Sequence, residues 1–170
     1  MRHWGAAHKH GWVVALPQSP QEYAPDIFSW NDWDWVVPTV VENYEKVCKS
    51  YPVNEAQTIL AGFSMGACVA ISLALEQTIK VKGLLCVAPY FTDVEELSPL
   101  LAKIKGRRFR VYLVASKDDE FCYEVAVKLA QLLEDYGIEH KLDIYPAVGH
   151  SFPPQFEERI PEALAYLLDD

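Results

Sequence analysis

Long apolar runs are missing from this chain. No stretch reaches the roughly 18–20 residues that a membrane-spanning helix needs, so stable membrane insertion is not expected. The opening Met1-Arg2-His3-Trp4-Gly5 has no apolar stretch of the kind found in a secretory leader. Basic charge is also scarce. Fifteen Lys and Arg against 24 Asp and Glu give a formal charge of −9, which argues against nucleic acid and anionic membrane surfaces as partners. The short basic stretch Lys103, Lys105, Arg107, Arg108 and Arg110 is therefore read as a solvated loop. No CxxC pair occurs among Cys48, Cys68, Cys86 and Cys122. With largely apolar neighbours, they read as small hydrophobes kept reduced in a cytoplasm. His3, His8 and His10 have no acid or cysteine at ligand spacing, so they read as an exposed helix and no metal is expected. Repeats and low-complexity segments are absent.

What is present suits one globular domain. The chain has 170 residues, 51% hydrophobic and 23% charged. Trp12–Leu16 is a short apolar run closed by Pro17 and reads as a buried strand. Residues 18–30, with Pro20 and Pro25, read as a loop. Asn31 or Asp32 can cap a helix to about Ser50 along the apolar series Trp33, Val36, Val37, Val40, Tyr44, Val47 and Cys48. Pro38 either starts that helix or kinks it. Strands are expected at Thr58–Gly62, Val81–Val87, Arg110–Ala115 and His140–Tyr145. Helices are expected at Met65–Leu75, Phe121–Tyr136 and Ile160–Leu168, the first apolar nearly all round and so buried. Alternating strands and helices predict an α/β fold: a mostly parallel sheet of about five strands, with helices on both faces. The five tryptophans, all between Trp4 and Trp35, are expected mostly in the core.

Gly62-Phe63-Ser64-Met65-Gly66 fits G-x-S-x-G between a predicted strand and a predicted helix, the setting of a nucleophile elbow. The sharp turn would force Ser64 into a strained backbone conformation, and a side chain at Gly62 or Gly66 is expected to collide with it. The Met65 N–H, at the helix start, would face a developing oxyanion. The bland reading is a glycine-rich turn with a capping serine. Two later segments weigh against it. A serine hydroxyl needs a base, usually histidine, held by a carboxylate. Ser116-Lys117-Asp118-Asp119-Glu120 follows the fourth expected strand, and Gly149-His150 follows the fifth. This is the order Ser, acid, His, with every member at the carboxyl edge of the sheet.

Together with Leu16-Pro17-Gln18-Ser19, Ser29-Trp30-Asn31-Asp32 and Gly149-His150-Ser151-Phe152-Pro153, the elbow resembles the phospholipase/carboxylesterase branch of the α/β-hydrolases, which includes acyl-protein-thioesterase-like enzymes. The resemblance implies cofactor-free hydrolysis of carboxylic esters or thioesters. It implies Ser64 as nucleophile, His150 as base and Asp118 as acid, because in such enzymes the acid lies three residues after a strand-ending glycine whose place Ala115 takes. Asp119 stays as the rival, one residue away. Phe63, Phe121 and Phe152 flank these positions and, with Gln18 and Trp30, are candidates for lining the substrate pocket.

Members of that branch begin with further strands, one ending in a glycine-rich loop that gives the second oxyanion N–H. Only eleven residues precede Trp12 here, and a shortened domain from a longer protein is the favoured expectation. The slot could otherwise close by pairing Trp12–Leu16 with Thr58–Gly62, or by forming a homodimer through that edge. A non-catalytic interaction protein retaining the triad and a peptidase of the same fold are the alternative functions.

Overall fold

The computed structural model describes residues 3–169; Met1, Arg2 and Asp170 lie outside the described residues. Four parallel strands form the sheet: β3 (Ile59–Phe63), β4 (Gly83–Val87), β5 (Arg110–Ser116) and β6 (Glu139–Tyr145), side by side in chain order. They are preceded by α1 (Gly5–His8), β1 (Gln21–Ala24), β2 (Ile27–Ser29) and α2 (Trp33–Ser50), and interleaved with α3 (Met65–Leu75), α4 (Ser98–Ile104), α5 (Glu120–Asp135) and α6 (Phe156–Leu168).

Strand alternation sorts the core into two layers. Leu84, Cys86, Val111 and Leu113 face α3, α4 and α5. Leu85, Val87, Tyr112 and Val114 face Phe156, Ile160, Ala163, Leu164 and Leu167 of α6. A third cluster joins Val36 and Val40 of α2 to Val69 and Leu73 of α3 and to Ile79. Eight of the eleven residues of α3 are buried, in keeping with its apolar circumference.

Three expectations fail in the front third. Trp12–Leu16 is not a strand, so the sheet has four strands rather than about five; among the described residues β3 is an edge that pairs only with β4. Trp12 packs instead against the α6-side core, while Val13 and Leu16 are exposed. Residues 18–30 are not a plain loop but carry the antiparallel hairpin β1–β2, turning at Pro25 and Asp26 with Asp26 at φ +61°. Its closure is side-chain work: buried Ser19 donates to the Ser29 carbonyl and accepts from Gln21 N–H at 3.1 Å. The Gln21 Oε1 accepts the Asn31 and Asp32 amides at 3.0 and 2.9 Å, handing the chain to α2. Asp32 caps α2, its side chain accepting from Asp34 N–H, and Pro38 lies inside the helix rather than starting it. The tryptophans are not core either: none is buried, and Trp33 and Trp35 are exposed because α2 turns Val36 and Val40 inward.

The turn from β3 into α3 is the tightest place in the fold. Ser64 sits at φ +53°, ψ −121°, a conformation that non-glycine residues rarely adopt. It is held by its N–H to the Val87 carbonyl at 2.9 Å and by the Ala67 N–H to its own carbonyl at 2.9 Å. A Cβ on Gly62 would lie 2.1 Å from the Gly66 carbonyl oxygen, so a side chain there is excluded. The parallel expectation for Gly66 is corrected: a Cβ there meets nothing within 4 Å. The crowding runs one way, from the strand onto the backbone of the first helical turn. Gly62→Ala is therefore expected to cost about 3 kcal/mol or more, because backbone must move. Gly66→Ala should be neutral or stabilising by up to about 1 kcal/mol through helix propensity. Urea unfolding midpoints of the two variants test this, and equal losses would refute it.

Candidate active site

The three strand ends converge at one edge of the sheet. Ser64 Oγ lies 2.9 Å from His150 Nε2. The other ring nitrogen, Nδ1, lies 2.7 Å from Asp119 Oδ2. With the proton on Nδ1, the imidazole donates to Asp119 and accepts from the Ser64 hydroxyl. Asp119 has little exposure, 11% of its side chain, while that of His150 is 45% exposed. The carboxylate end of the series is thus shielded, and the end facing Ser64 is open to solvent.

Asp118 does not meet the His150 ring, and the expectation that it would is corrected in favour of its neighbour. The local chain explains the shift. Strand β5 ends at Ser116, Asp119 is the N-cap position of α5, and the adjacent Asp118 points across to the loop after β6. There its Oδ1 accepts Gly149 N–H at 2.8 Å and Val148 N–H at 3.0 Å, and it also accepts from the Ser116 hydroxyl. Ser116 Oγ in turn accepts Val148 N–H at 2.9 Å. Asp118 therefore ties down the two residues before His150. The Ser116 hydroxyl first, then the Gly149 amide, hold its carboxyl down to about 2.

The ring of His150 is braced on its flank. Phe63 lies 4.9 Å from it, centroid to centroid, and stacks on Phe152 at 4.8 Å. Phe152 is itself stacked on His3 and edge-packed by Trp4. His3 is anchored by Glu157 at 2.9 Å. His8 sits at the end of the short helix α1, its Nδ1 near the Trp12 carbonyl.

In front of Ser64 lies a cavity of about 350 Å³ lined by Ser64, Met65, Tyr90, Asp119, Phe121, Cys122 and His150. Of the expected pocket residues only Phe121 lines it. Phe63 and Phe152 support the histidine instead. Trp30 touches the elbow from outside, its N–H 3.1 Å from Met65 Sδ, and exposed Gln18 reaches only the Ser19 carbonyl. Two lining residues have no functional reading in the sequence: Tyr90, which is not singled out there, and Cys122, which reads there only as a small hydrophobe. Tyr90 follows β4, whose end is marked by Pro89, at the same carboxyl edge that flagged the acids and His150; its ring packs 4.9 Å from Phe121. Cys122 lies one helical turn after Asp119, with Sγ 3.6 Å from His150 Nδ1. Burial, then the Asp119 charge, push its thiol up to about 12, so it rests protonated at neutral pH.

The lowered pKa of Asp118 links the site to stability. Because the folded value lies below the ordinary 3.8, its ionised form stabilises the fold fully above about pH 3.8, and the contribution disappears as pH falls through about 2. Thermal melts of the chain and of Asp118→Ala are expected to differ at pH 6 and to draw together towards pH 2. A gap that persists undiminished at low pH would contradict the assignment.

Comparison with known proteins follows the same lines. A model of the phospholipase/carboxylesterase family matches residues 37–168. Among solved structures, the chain is similar to an uncharacterized protein from Bacillus cereus, with 31% identity and a TM-score of 0.92, over 99% of this chain and 55% of that one. It thus spans about half the length of that relative. The S-formylglutathione hydrolase FrmB from Staphylococcus aureus shares the fold at 18% identity and a TM-score of 0.60, over 78% of this chain and 60% of that one. SOBER1 from Arabidopsis thaliana does so at 16% and 0.61, over 81% and 67%. No curated protein matches. Among the described residues, no helix is long and apolar enough to cross a membrane. With most of its length matched by the family model, the chain belongs to the phospholipase/carboxylesterase family of α/β-hydrolases.

Proposed function

We propose that the chain is a serine hydrolase that cleaves carboxylic esters or thioesters through an acyl-enzyme on Ser64. The observation that carries this is the continuous series Ser64 Oγ, His150 Nε2, His150 Nδ1 and Asp119 Oδ2, with spacings of 2.9 and 2.7 Å across the two hydrogen bonds. Ser64 attacks the substrate carbonyl as His150 takes its proton. The tetrahedral oxyanion forms beside the N-terminus of α3, where the Met65 amide is one of the first-turn donors that a helix leaves without an intrahelical partner. His150 returns the proton to the departing alcohol or thiol, and water repeats the sequence to release the acid. Asp119 fixes the ring tautomer throughout. Asp118 is a positioning residue that holds the loop bearing His150. The cavity walls of Tyr90 and Phe121 suit an apolar acyl group, and its modest volume suits a small-molecule substrate rather than a folded polypeptide. The four unpaired cysteines accord with a cytoplasmic location.

A fluorophosphonate probe tests the nucleophile directly. Labelling on Ser64, abolished in Ser64→Ala, is expected, with turnover of a p-nitrophenyl ester falling to background and stability changing by less than about 1 kcal/mol. No labelling of the folded chain would favour an interaction protein that retains the triad.

The two aspartates should separate cleanly. Asp119→Asn is expected to lower kcat about 10⁴-fold, as loss of the tautomer-fixing acid does in other serine triads. Asp118→Asn keeps an acceptor for the loop amides and should cost far less. The reverse ranking in ester turnover would restore Asp118 as the acid.

A further inference from the structure

The catalytic reading leaves Cys122 without a task, yet it faces the same atom of His150 that Asp119 does. Among the described residues, Asp119, Cys122 and His150 bring one carboxylate oxygen, one sulfur and one imidazole nitrogen to within 4.8 Å of one another. We infer that these three side chains form a binding site for a zinc-like divalent cation, occupied at the expense of the hydrogen bond between His150 and Asp119.

The donor set and its spacing support this. Oxygen, sulfur and imidazole nitrogen together are the mixed set that zinc accepts, with bonds of about 2.0–2.1 Å to nitrogen and about 2.3 Å to sulfur. Tetrahedral bonds of those lengths separate nitrogen from sulfur by about 3.6 Å, and Cys122 Sγ stands 3.6 Å from His150 Nδ1. The Asp119–His150 contact, 2.7 Å, must open by about 0.7 Å to the separation that metal bonds require, and Asp119 stands within 4.8 Å of the Cys122 sulfur. All three residues line the 350 Å³ cavity, so a cation has a route in and solvent can fill the fourth position. Burial keeps the Cys122 thiol protonated, but a bound dication supplies the charge that offsets both thiolate and carboxylate. The proton balance is simple. The Cys122 thiol proton leaves to solvent, and the proton of His150 Nδ1 moves to Nε2 as the metal takes its place.

That tautomer shift gives the site a consequence. A metallated His150 presents N–H rather than a lone pair to Ser64 and cannot accept its proton. Metal capture would therefore switch the hydrolase off reversibly. The inhibitory consequence rests on the serine-hydrolase reading; the site itself rests only on the donor geometry.

Binding is measured without reference to activity. Equilibrium dialysis against micromolar zinc is expected to give one ion per chain, and cobalt(II) in its place should show a sulfur-to-cobalt charge-transfer band with tetrahedral visible bands. Cys122→Ala and Cys122→Ser should remove the charge-transfer band and weaken zinc binding at least about tenfold, with Asp119→Asn also weakening it. Circular dichroism checks that each variant is folded. Ser64→Ala should bind as the unaltered chain does. Absence of saturable binding, or a band that survives in both Cys122 variants, overturns the site. If fluorophosphonate labelling occurs, zinc should suppress it and a chelator should restore it. A chain that binds zinc but never labels keeps the metal site and loses only the hydrolase reading.

Discussion

The approach of the first turn of α3 to the last residues of β3 is the constraint on which the rest depends. The Gly66 carbonyl stands where a Cβ on residue 62 would be, and the chain can reverse from strand to helix that tightly only because residue 62 has none. The reversal puts Ser64 at positive φ. Such strain persists only when the surroundings over-determine it. Here they do: the Ser64 amide is spent on β4, its carbonyl on the amides of Ala67 and Cys68, and the helix it opens is buried along most of its length. The serine is thereby lifted off the sheet edge with its side chain free of structural duty.

The other half of the site is built by dividing labour between two adjacent carboxylates. Asp118 is exposed and its Oδ1 gathers three donors, so it stays ionised far into acid and works as a clamp between β5 and the loop after β6. Asp119 is shielded and makes one dominant contact, to His150 Nδ1. The clamp fixes where the loop is; the neighbour fixes which way the ring is protonated. Successive residues at the end of a strand diverge in direction, so one tight turn can serve both purposes.

Much of this was legible in the residues. Each sheet strand from β3 onward lies within two residues of its expected start: buried β4 and β5 write continuous apolar runs, whereas the edge strand β6 mixes Leu142, Ile144 and Tyr145 with charged residues. Helix α3 spans Met65–Leu75 as its pattern predicts. Ser64 and His150 stood out because two independent signals, motif and strand-end position, coincided on them. The acid is misassigned, to Asp118 instead of Asp119, since sequence spacing cannot tell which of two neighbouring aspartates a three-residue turn will face inward. Trp12–Leu16 misled for a different reason: an apolar run marks burial or half-burial, but a strand also needs a ladder partner, and Trp12 satisfies its apolarity against the α6-side core without one. The hairpin was hidden because its closure depends on Ser19 and Gln21 side chains rather than on an Asn-Gly or Asp-Gly turn.

The misread front of the chain then acquires a role. Trp4 packs edge-on against both Phe152 and Phe156, and His3 stacks on Phe152. Phe152 stacks on Phe63, and Phe63 abuts the His150 ring. These contacts form one aromatic column from the N-terminal segment to the base of the candidate relay, with each ring supported by the next. Phe63 and Phe152 are the residues beside the elbow serine and two after the histidine, so their proximity to the site in sequence suggested a pocket. Their packing gives them a different function. A histidine with 45% of its side chain exposed has little else to limit its orientation on that flank. The hydrogen bond to Asp119 fixes one edge of the ring, and Phe63 restricts its face. Two constraints in different directions are enough to hold Nε2 towards Ser64, which is why the open side of the imidazole can be left to the cavity.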